Sequence, residues 1–370
     1  MTNLQCQISN VKLLLDSNPE LQHLLEQSLR QAAIANPHLE TNPVRTMEQW
    51  CTYVERFAHQ MPWQTMDIGG DASFFRRIDQ NIGYFYFLID QPLEALEDKG
   101  YIYPSLQYEP RFAQWLKEYN IAWGEWLSSS ESWNEDYYQL ALSDPLFELA
   151  TDRYESPDNW HSWNDFFARK LRKPYTIHHT PYTFISPCDG VIAEEGLIKT
   201  ATISNWLDLL GDSAYRECFV GGETTHIILD VFDYHRFHMP CDGTLLECKT
   251  IQGIHAGGGE IIWDEEQGRY RYEQCGVTDF QMLETRGVLV IDTPAFGKIA
   301  IVPVGVQQVS SVQWTFNHSP YTLHLTPYTL HQGAELGKFL FGGSDVVLFF
   351  EPGRAPHITA KNVKVGDSLI

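Results

Sequence analysis

Hydrophobic positions in the first part of the chain recur at helical spacing. In the segment Val11 to Ala35, leucine stands at positions 13, 14, 15, 21, 24, 25 and 29. In the segment Pro110 to Leu127, large aromatic residues follow one another three or four positions apart, namely Trp115, Tyr119, Trp123 and Trp126. Such spacing predicts amphipathic helices whose apolar side packs into a core. We therefore interpret these tryptophans as core residues.

The pattern changes at about residue 183, where short apolar runs alternate with glycine and proline. These runs are Thr224 to Phe232, Val288 to Asp292, Lys298 to Val304 and Val346 to Phe350. Runs of this length predict β-strands. The fold class we expect is α+β, with a helical N-terminal region followed by a β-rich domain. The breaks around Ser128 to Ser132 and Asp152 to Trp160 place the division at residues 1–150 and 151–370.

Composition narrows the possible functions. The chain has 370 residues, 43% of them hydrophobic, with a formal net charge of -22 and a pI near 4.9. Nucleic acids and anionic lipid surfaces repel such a chain at long range, so we expect neither as a partner. The basic pair Arg76-Arg77 and the cluster at 169–173 are interpreted as solvated helix ends.

The same sequence predicts a cytoplasmic protein without stable membrane insertion. It begins without a basic leader, and no stretch approaches the roughly 18 to 20 apolar residues that span a bilayer. Seven cysteines without regular spacing indicate reduced thiols. No CxxC pair is present, so we expect no metal.

Three short segments could carry chemistry. His235 and His238 follow an apolar run, and such an HxxH pair is compatible with structural, metal-binding or acid-base roles. A zinc site would add Cys241 and His226, but the spacing is unlike a standard zinc site. Asp189 precedes a glycine, where aspartate is also favoured as a turn residue.

The third segment is Gly342-Gly343-Ser344-Asp345, directly before an apolar run. By itself it can be a tight turn that opens a strand. It can also be a self-cleavage site, because glycine lets the backbone bend toward a serine hydroxyl and a nearby base can remove the hydroxyl proton.

Taken together, these segments resemble the phosphatidylserine decarboxylase family. The resemblance runs from about Trp160 to Gly353. Four segments carry it: 162–171 is similar to the family's aromatic FFxR motif, 186–191 to its SPADG segment, 233–240 to its YHRxHxP segment, and 341–346 to its cleavage motif. Their co-occurrence in one order makes the match specific.

This resemblance implies a chain that cuts itself between Gly343 and Ser344 and converts Ser344 into a pyruvoyl cofactor. By analogy with the family, His238 would deprotonate Ser344 and Asp189 would hold the imidazole in the required tautomer. An acid must then protonate the α-carbon after carbon dioxide leaves; His235 is our candidate, and His238 could also do both jobs. The fragment that begins at Ser344 would stay bound as a partner of the larger one.

A looser resemblance concerns the substrate. Segments 121–127, 156–169, 203–210 and 219–222 are similar to soluble family members related to the tryptophan decarboxylase of the psilocybin pathway. It implies decarboxylation of a free L-amino acid, with an aromatic one such as tryptophan as the first choice. The alternatives are decarboxylation of phosphatidylserine to phosphatidylethanolamine and an unprocessed, non-catalytic protein. The sequence indicates no oligomeric state.

Two positions depart from the family pattern. Cys188 replaces the usual small residue before Asp189, which is a mild change. Asp345 replaces the usual Thr or Ser after the cleaved serine, and a carboxylate there could perturb proton transfer. Because cleavage is needed only once per molecule, a slower reaction could still give an active enzyme.

Overall fold

The computed structural model describes residues 2–59, 78–173, 183–197, 206–266, 268–274, 283–305, 311–316, 328–340, 342 and 344–370. The basic pair Arg76-Arg77, residues 203–205 of the looser motif, and Phe341 and Gly343 of the cleavage motif lie outside these residues.

Helices dominate the first part of the chain, as the hydrophobic spacing predicted. They are α1 (Asn3–Ser17), α2 (Pro19–Ala35), α3 (Met47–Ala58), α4 (Ile78–Ile89), α5 (Pro110–Leu127), α6 (Glu135–Ser143) and the short α7 (Trp163–Phe167). Local sequence sets the first turns. Thr2 and Thr46 cap α1 and α3, each in a reciprocal capping box, and Pro19 occupies the first turn of α2.

Strands dominate the second part. They are β1 (Gly190–Leu197), β2 (Glu223–Leu229), β3 (Arg236–His238), β4 (Gly243–Ile251), β5 (Gly259–Asp264), β6 (Arg269–Gln274), β7 (Thr285–Thr293), β8 (Gly297–Gly305), β9 (Gln313–Trp314), β10 (Thr329–Leu330), β11 (Glu335–Lys338), β12 (Ser344–Phe350) and β13 (Asn362–Val363). The predicted α+β class, helical first and β-rich second, is confirmed.

Contacts between Cα atoms divide the chain into two units. The first contains Met1–Trp126 and Ile254–Phe280, and the second contains Leu127–Gly253 and Gln281–Ile370. This is a division by packing, and the predicted domains 1–150 and 151–370 stay a prediction.

Aromatic side chains fill the core of the first unit. Phe57 stacks on Phe85 and on Trp123, with ring centroids 5.1 and 5.3 Å apart. Trp115, Tyr119 and Trp123 of α5 are buried, while Trp126 is half-buried. Their interpretation as core residues is therefore confirmed for the three inner positions, because the helical spacing turns them to one side.

Antiparallel sheets form the second unit. Eight strands pair in the order β10-β4-β7-β8-β12-β2-β1-β13, and a smaller sheet has the order β3-β11-β9. Strand β12 lies inside the large sheet, paired along its length with β2 and β8. All of its residues are buried, so the strand that follows the cleavage motif is part of the core.

Alternation along β12 separates its side chains. Val346, Leu348 and Phe350 belong to the main hydrophobic cluster, together with Ile227 and Leu229 of β2. Side chains two apart share a face of a strand. Ser344 therefore lies on the cluster face, and Asp345 lies on the opposite face.

Candidate active site

Ser344 is the first residue of β12 and is buried. In register it pairs with Leu229 of β2 and Gly305 of β8, so neighbouring strands fix its backbone on both sides. The residue is 2% exposed. A serine at this place can react only with groups that the fold itself brings to it.

His235 is the group that meets this serine. Its Nδ1 atom lies 2.7 Å from Ser344 Oγ, and the ring is fully buried. The ring of Phe167 stacks on the imidazole with centroids 3.8 Å apart. The backbone of His235 is held as well, because Phe339 N donates a hydrogen bond to its carbonyl. Two neighbours thus fix the imidazole against the hydroxyl.

The environment keeps His235 neutral. Burial and then the charge of Arg169 lower its pKa, the backbone groups of Val231 and Asp230 partly oppose them, and the result is a pKa of about 3. A neutral imidazole can accept the serine proton. The pair therefore has the geometry and protonation state of a nucleophile with its base.

Arg169 of the FFxR segment supports the turn that leads to His235. Its Nη2 atom donates to the carbonyl of Phe232 at 2.6 Å and to that of Asp233 at 3.0 Å. The guanidinium also lies over the ring of Tyr154, 4.3 Å from the centroid. Our interpretation of this basic cluster as a solvated helix end was wrong for Arg169, which is fully buried, although Lys170 is exposed.

His238 has different partners. Its Nε2 atom lies 3.0 Å from the hydroxyl of Tyr234, and its Nδ1 atom lies 3.0 Å from the carbonyl oxygen of Gly333. Burial lowers its pKa as well. The resemblance implied that His238 is the base for Ser344, whereas the structure brings His235 to that hydroxyl. Residues three apart on an extended segment point to opposite sides, so only one of the two rings reaches it.

Asp189 is fully buried and held by cations and backbone amides. Arg153 Nη2 lies 2.7 and 2.6 Å from its two oxygens. The backbone N–H groups of Val365 and Tyr234 donate to it at 2.8 and 3.4 Å. Among the described residues, the hydrogen-bond partners of the Asp189 carboxylate are therefore Arg153 and the backbone. The resemblance implied instead that this carboxylate binds the imidazole of His238. The charge of Asp189 nevertheless raises the pKa of His238, as the smallest of several influences.

Asp345 forms a second acid-base pair on the other face of the sheet. Its carboxylate lies 3.1 Å from Nε2 of His226, and both side chains are buried. Trp206 packs edge-on against His226, with ring centroids 5.4 Å apart. The carboxylate is therefore directed away from Ser344 Oγ, although the two residues are neighbours in sequence.

The described residues also bear on two other classes of site. Within those ranges, no helix is long and apolar enough to cross a bilayer. The same part of the chain contains no group of three or more His, Cys, Asp or Glu side chains arranged to hold a metal ion.

The α+β fold thus places a serine nucleophile beside a histidine base, as a reaction of the protein with its own backbone requires. A sequence model of the family described as phosphatidylserine decarboxylase matches residues 163–370, more than half of the chain. The chain belongs to this family. Its class is therefore that of a carboxy-lyase whose cofactor is a pyruvoyl group made from a serine, as the resemblance implied.

Individual relatives agree with this assignment. The phosphatidylserine decarboxylase proenzyme of Pseudomonas fluorescens strain Pf0-1 is 31% identical over 260 residues, which is 65% of this chain and 84% of that relative. A proenzyme of the same name from Chlamydia pneumoniae is 30% identical over 218 residues, 55% of this chain and 65% of the relative. Phosphatidylserine decarboxylase proenzyme 3 of Schizosaccharomyces pombe is 28% identical over 222 residues, but these cover only 21% of its length.

The residues at the site fit the cofactor. The group would arise from Ser344, which is present, buried and within hydrogen-bond distance of a neutral histidine. Placement at the head of an internal strand would keep it shielded from water. A ketone there would supply the electron sink that decarboxylation of an amino acid group needs.

Proposed function

We propose that this chain is a proenzyme that cleaves its own backbone between Gly343 and Ser344, with His235 as the base. The observation that carries the proposal is the 2.7 Å contact between His235 Nδ1 and Ser344 Oγ. Family membership supports it independently, because the relatives are named proenzymes.

The chemistry uses the residues of the chain and one water molecule. The hydroxyl proton of Ser344 passes to His235, and Oγ bonds to the carbonyl carbon of Gly343. The C–N bond between the two residues breaks, and the proton ends on the released amine, which leaves an ester. Loss of the Ser344 α-proton then expels the Gly343 carboxylate. Water replaces the nitrogen, which leaves as ammonia, and the pyruvoyl group remains.

His238 and Asp189 are proposed to act beside this pair. His238 shares a hydrogen bond with the Tyr234 hydroxyl, and this pair is our candidate for moving a proton during decarboxylation. Asp189 supports the histidine segment through Tyr234 N–H, which donates to it at 3.4 Å, rather than by direct contact with His238. The roles proposed here are thus the reverse of those expected from the sequence, with His235 as the base for Ser344.

For the substrate we propose phosphatidylserine, whose decarboxylation gives phosphatidylethanolamine. The names of the relatives support this choice. A free L-amino acid, aromatic in the first instance, is the second candidate. The net charge of -22 favours it, because an anionic lipid surface repels such a chain at long range. A cytoplasmic location belongs to the same proposal.

Cleavage is tested by gel electrophoresis under denaturing conditions and by intact mass. Wild-type protein should give two fragments, with the smaller one beginning at former Ser344 and blocked at its N-terminus. Ser344→Ala should give one full-length chain. Ser368→Ala, which changes an exposed serine of the same fragment, is the matched control and should cleave normally. A single uncleaved chain in the wild type would favour the non-catalytic alternative.

The substrate is tested by carbon dioxide release. Vesicles that contain phosphatidylserine and phosphatidylcholine are compared with free L-amino acids in the absence of lipid, and Ser344→Ala serves as the blank. Release from vesicles alone supports the leading substrate. Release from a free amino acid alone replaces it with the second candidate.

A further inference from the structure

Arg153 makes a close buried contact at the site, although it belongs to none of the motif segments. Its Nη2 atom lies 2.7 and 2.6 Å from the two oxygens of Asp189. The side chain of Asp189 is completely buried, and that of Arg153 is 19% exposed. On its other side, Arg153 pairs with Glu148. The guanidinium is thus placed between two carboxylates.

A second cation reaches Asp189 from beyond the cleavage site. Lys364 Nζ lies 3.5 Å from Asp189, and the neighbouring Val365 N–H donates to the same carboxylate at 2.8 Å. Both residues belong to the fragment that self-cleavage would release from the preceding chain. Backbone hydrogen bonds between Ser186 and residues 366 and 367 hold the two segments together.

The Asp189 turn also contacts the segment that carries both histidines. Tyr234 N–H donates to Asp189 at 3.4 Å, and His238 N–H donates to the carbonyl of Pro187 at 2.8 Å. The turn therefore lies between the C-terminal segment on one side and the histidine segment on the other. The Asp189 turn therefore helps to fix the position of His235, because it binds Tyr234, the residue directly before His235 in sequence.

We propose that Arg153 and Lys364 are positioning residues for self-cleavage, because they hold Asp189 in the place from which it fixes the histidine segment. This inference rests on the proposed self-cleavage. It assigns a role to a residue of the larger fragment and to the C-terminal segment of the smaller one.

The local charges indicate why the loss of either cation should matter. Three carboxylates meet here, those of Glu148, Asp189 and Asp233, and Lys364 Nζ also lies 3.7 Å from Asp233. Although burial opposes its charge, the pKa of Arg153 is raised by the charge of Asp189. The charge of Asp189 also acts on the pKa values of Cys188, Asp233, His238 and Lys364.

Removing one partner of a buried pair leaves the other charge uncompensated, which is strongly unfavourable. Arg153→Met leaves Asp189 with Lys364, whose side chain is 45% exposed and therefore screened by water. We expect self-cleavage of this variant to slow by about 10- to 100-fold. Arg153→Lys keeps the charge but loses the planar guanidinium, so it should recover part of the rate.

The experiment follows cleavage of radiolabelled precursor made by cell-free synthesis, as the ratio of full-length chain to large fragment over time. The matched control is Arg172→Met, because Arg172 pairs with Asp152 at 2.6 Å with both side chains exposed. Lys364→Met is compared with Lys361→Met in the same way, since Lys361 is exposed. Both controls should cleave at the wild-type rate.

Asp189→Asn provides the decisive comparison. If Arg153 acts through Asp189, Arg153→Met should slow cleavage much less in the Asp189→Asn background than in the wild type. Equal fold-losses in both backgrounds, or no recovery by Arg153→Lys, would overturn the inference. Thermal unfolding of every variant in the Ser344→Ala background shows whether slow cleavage merely reflects an unfolded chain.

Different results would refute the proposed self-cleavage and the proposed positioning role of Arg153 and Lys364. A wild-type chain that never cleaves refutes the proposed function itself. A wild-type chain that cleaves, together with Arg153→Met and Lys364→Met variants that cleave equally fast, refutes only the positioning role.

Discussion

The low pKa of His235 predicts that self-cleavage is insensitive to mild acid. We consider the rate of self-cleavage at pH 7 and at pH 5. Burial lowers the pKa of this imidazole to about 3, so the ring stays neutral and able to accept the Ser344 proton throughout this range.

The size of the effect follows from the neutral fraction. With a pKa of about 3, roughly 99% of His235 is neutral at pH 5, so the rate should change by less than about twofold. A histidine with an ordinary pKa near 6.5 would be only about 3% neutral at pH 5, and the rate would fall about 25-fold. The two cases differ by an order of magnitude.

The assay synthesises precursor in a cell-free system, exchanges it rapidly into buffers between pH 5 and 8, and follows the large fragment by intact mass. Asp233 is the control group, because burial and then the charge of Asp189 raise its pKa to about 6, inside this window. Asp233→Asn removes that titration. His235→Ala should slow cleavage by about 10²- to 10⁴-fold at every pH, which is the usual contribution of a general base.

A rate that falls more than tenfold between pH 7 and pH 5 in both wild type and Asp233→Asn would show that the base is not a histidine with a pKa of about 3. So would a His235→Ala chain that cleaves as fast as wild type. If His238→Ala alone abolished cleavage of a folded chain, the base would be His238, as the family resemblance implied.

Three further predictions concern the surroundings of the site, and stability is measured by urea unfolding in the Ser344→Ala background. Phe167→Ala removes a fully buried ring stacked on His235, so we expect a loss of about 3 to 5 kcal/mol and slower cleavage; unchanged stability would contradict the packing role. Asp345→Ala should lose about 1 to 3 kcal/mol of stability, because its partner His226 on the neighbouring strand stays buried without the carboxylate. Its cleavage rate should stay within a few-fold of wild type. A cleavage defect of tenfold or more would show that this carboxylate acts on the reaction. Asp233 has a folded pKa above its unfolded value, so the stability that it contributes is lost as pH rises from about 4 to 6. The free energy of unfolding of Asp233→Asn, minus that of its parent, should therefore be up to about 2 to 3 kcal/mol larger at pH 7 than at pH 4. The same difference at both pH values would refute this.

Local patterns account for what the sequence predicted correctly. Helical spacing of leucine and aromatic residues identified α2 and α5, and short apolar runs identified β2, β8 and β12. These patterns report which side of an element is buried, which is a local property of the chain. The serine, the histidines and the aspartate were found because their types and neighbours match a family.

Long-range packing accounts for what was missed. Arg153 lies 36 positions from Asp189 in sequence, and Val365 lies 176 positions away, yet both bind its carboxylate. Arg169 looked like part of an exposed basic cluster, although its guanidinium binds the backbone at Phe232. No spacing rule links such pairs, because a buried cation is recognised only by the carboxylates and carbonyls that surround it.

The fold class, the family and the chemical groups at the site could therefore be predicted from the amino-acid sequence. The identity of the histidine that contacts Ser344, and of the cations that hold Asp189, depends on how the chain packs. His235 and His238 are three positions apart on an extended segment, so their side chains point to different sides. The placement of this segment against the neighbouring strands therefore determines which of the two rings reaches the Ser344 hydroxyl. The same alternation turns Asp345 away from the neighbouring serine and toward His226.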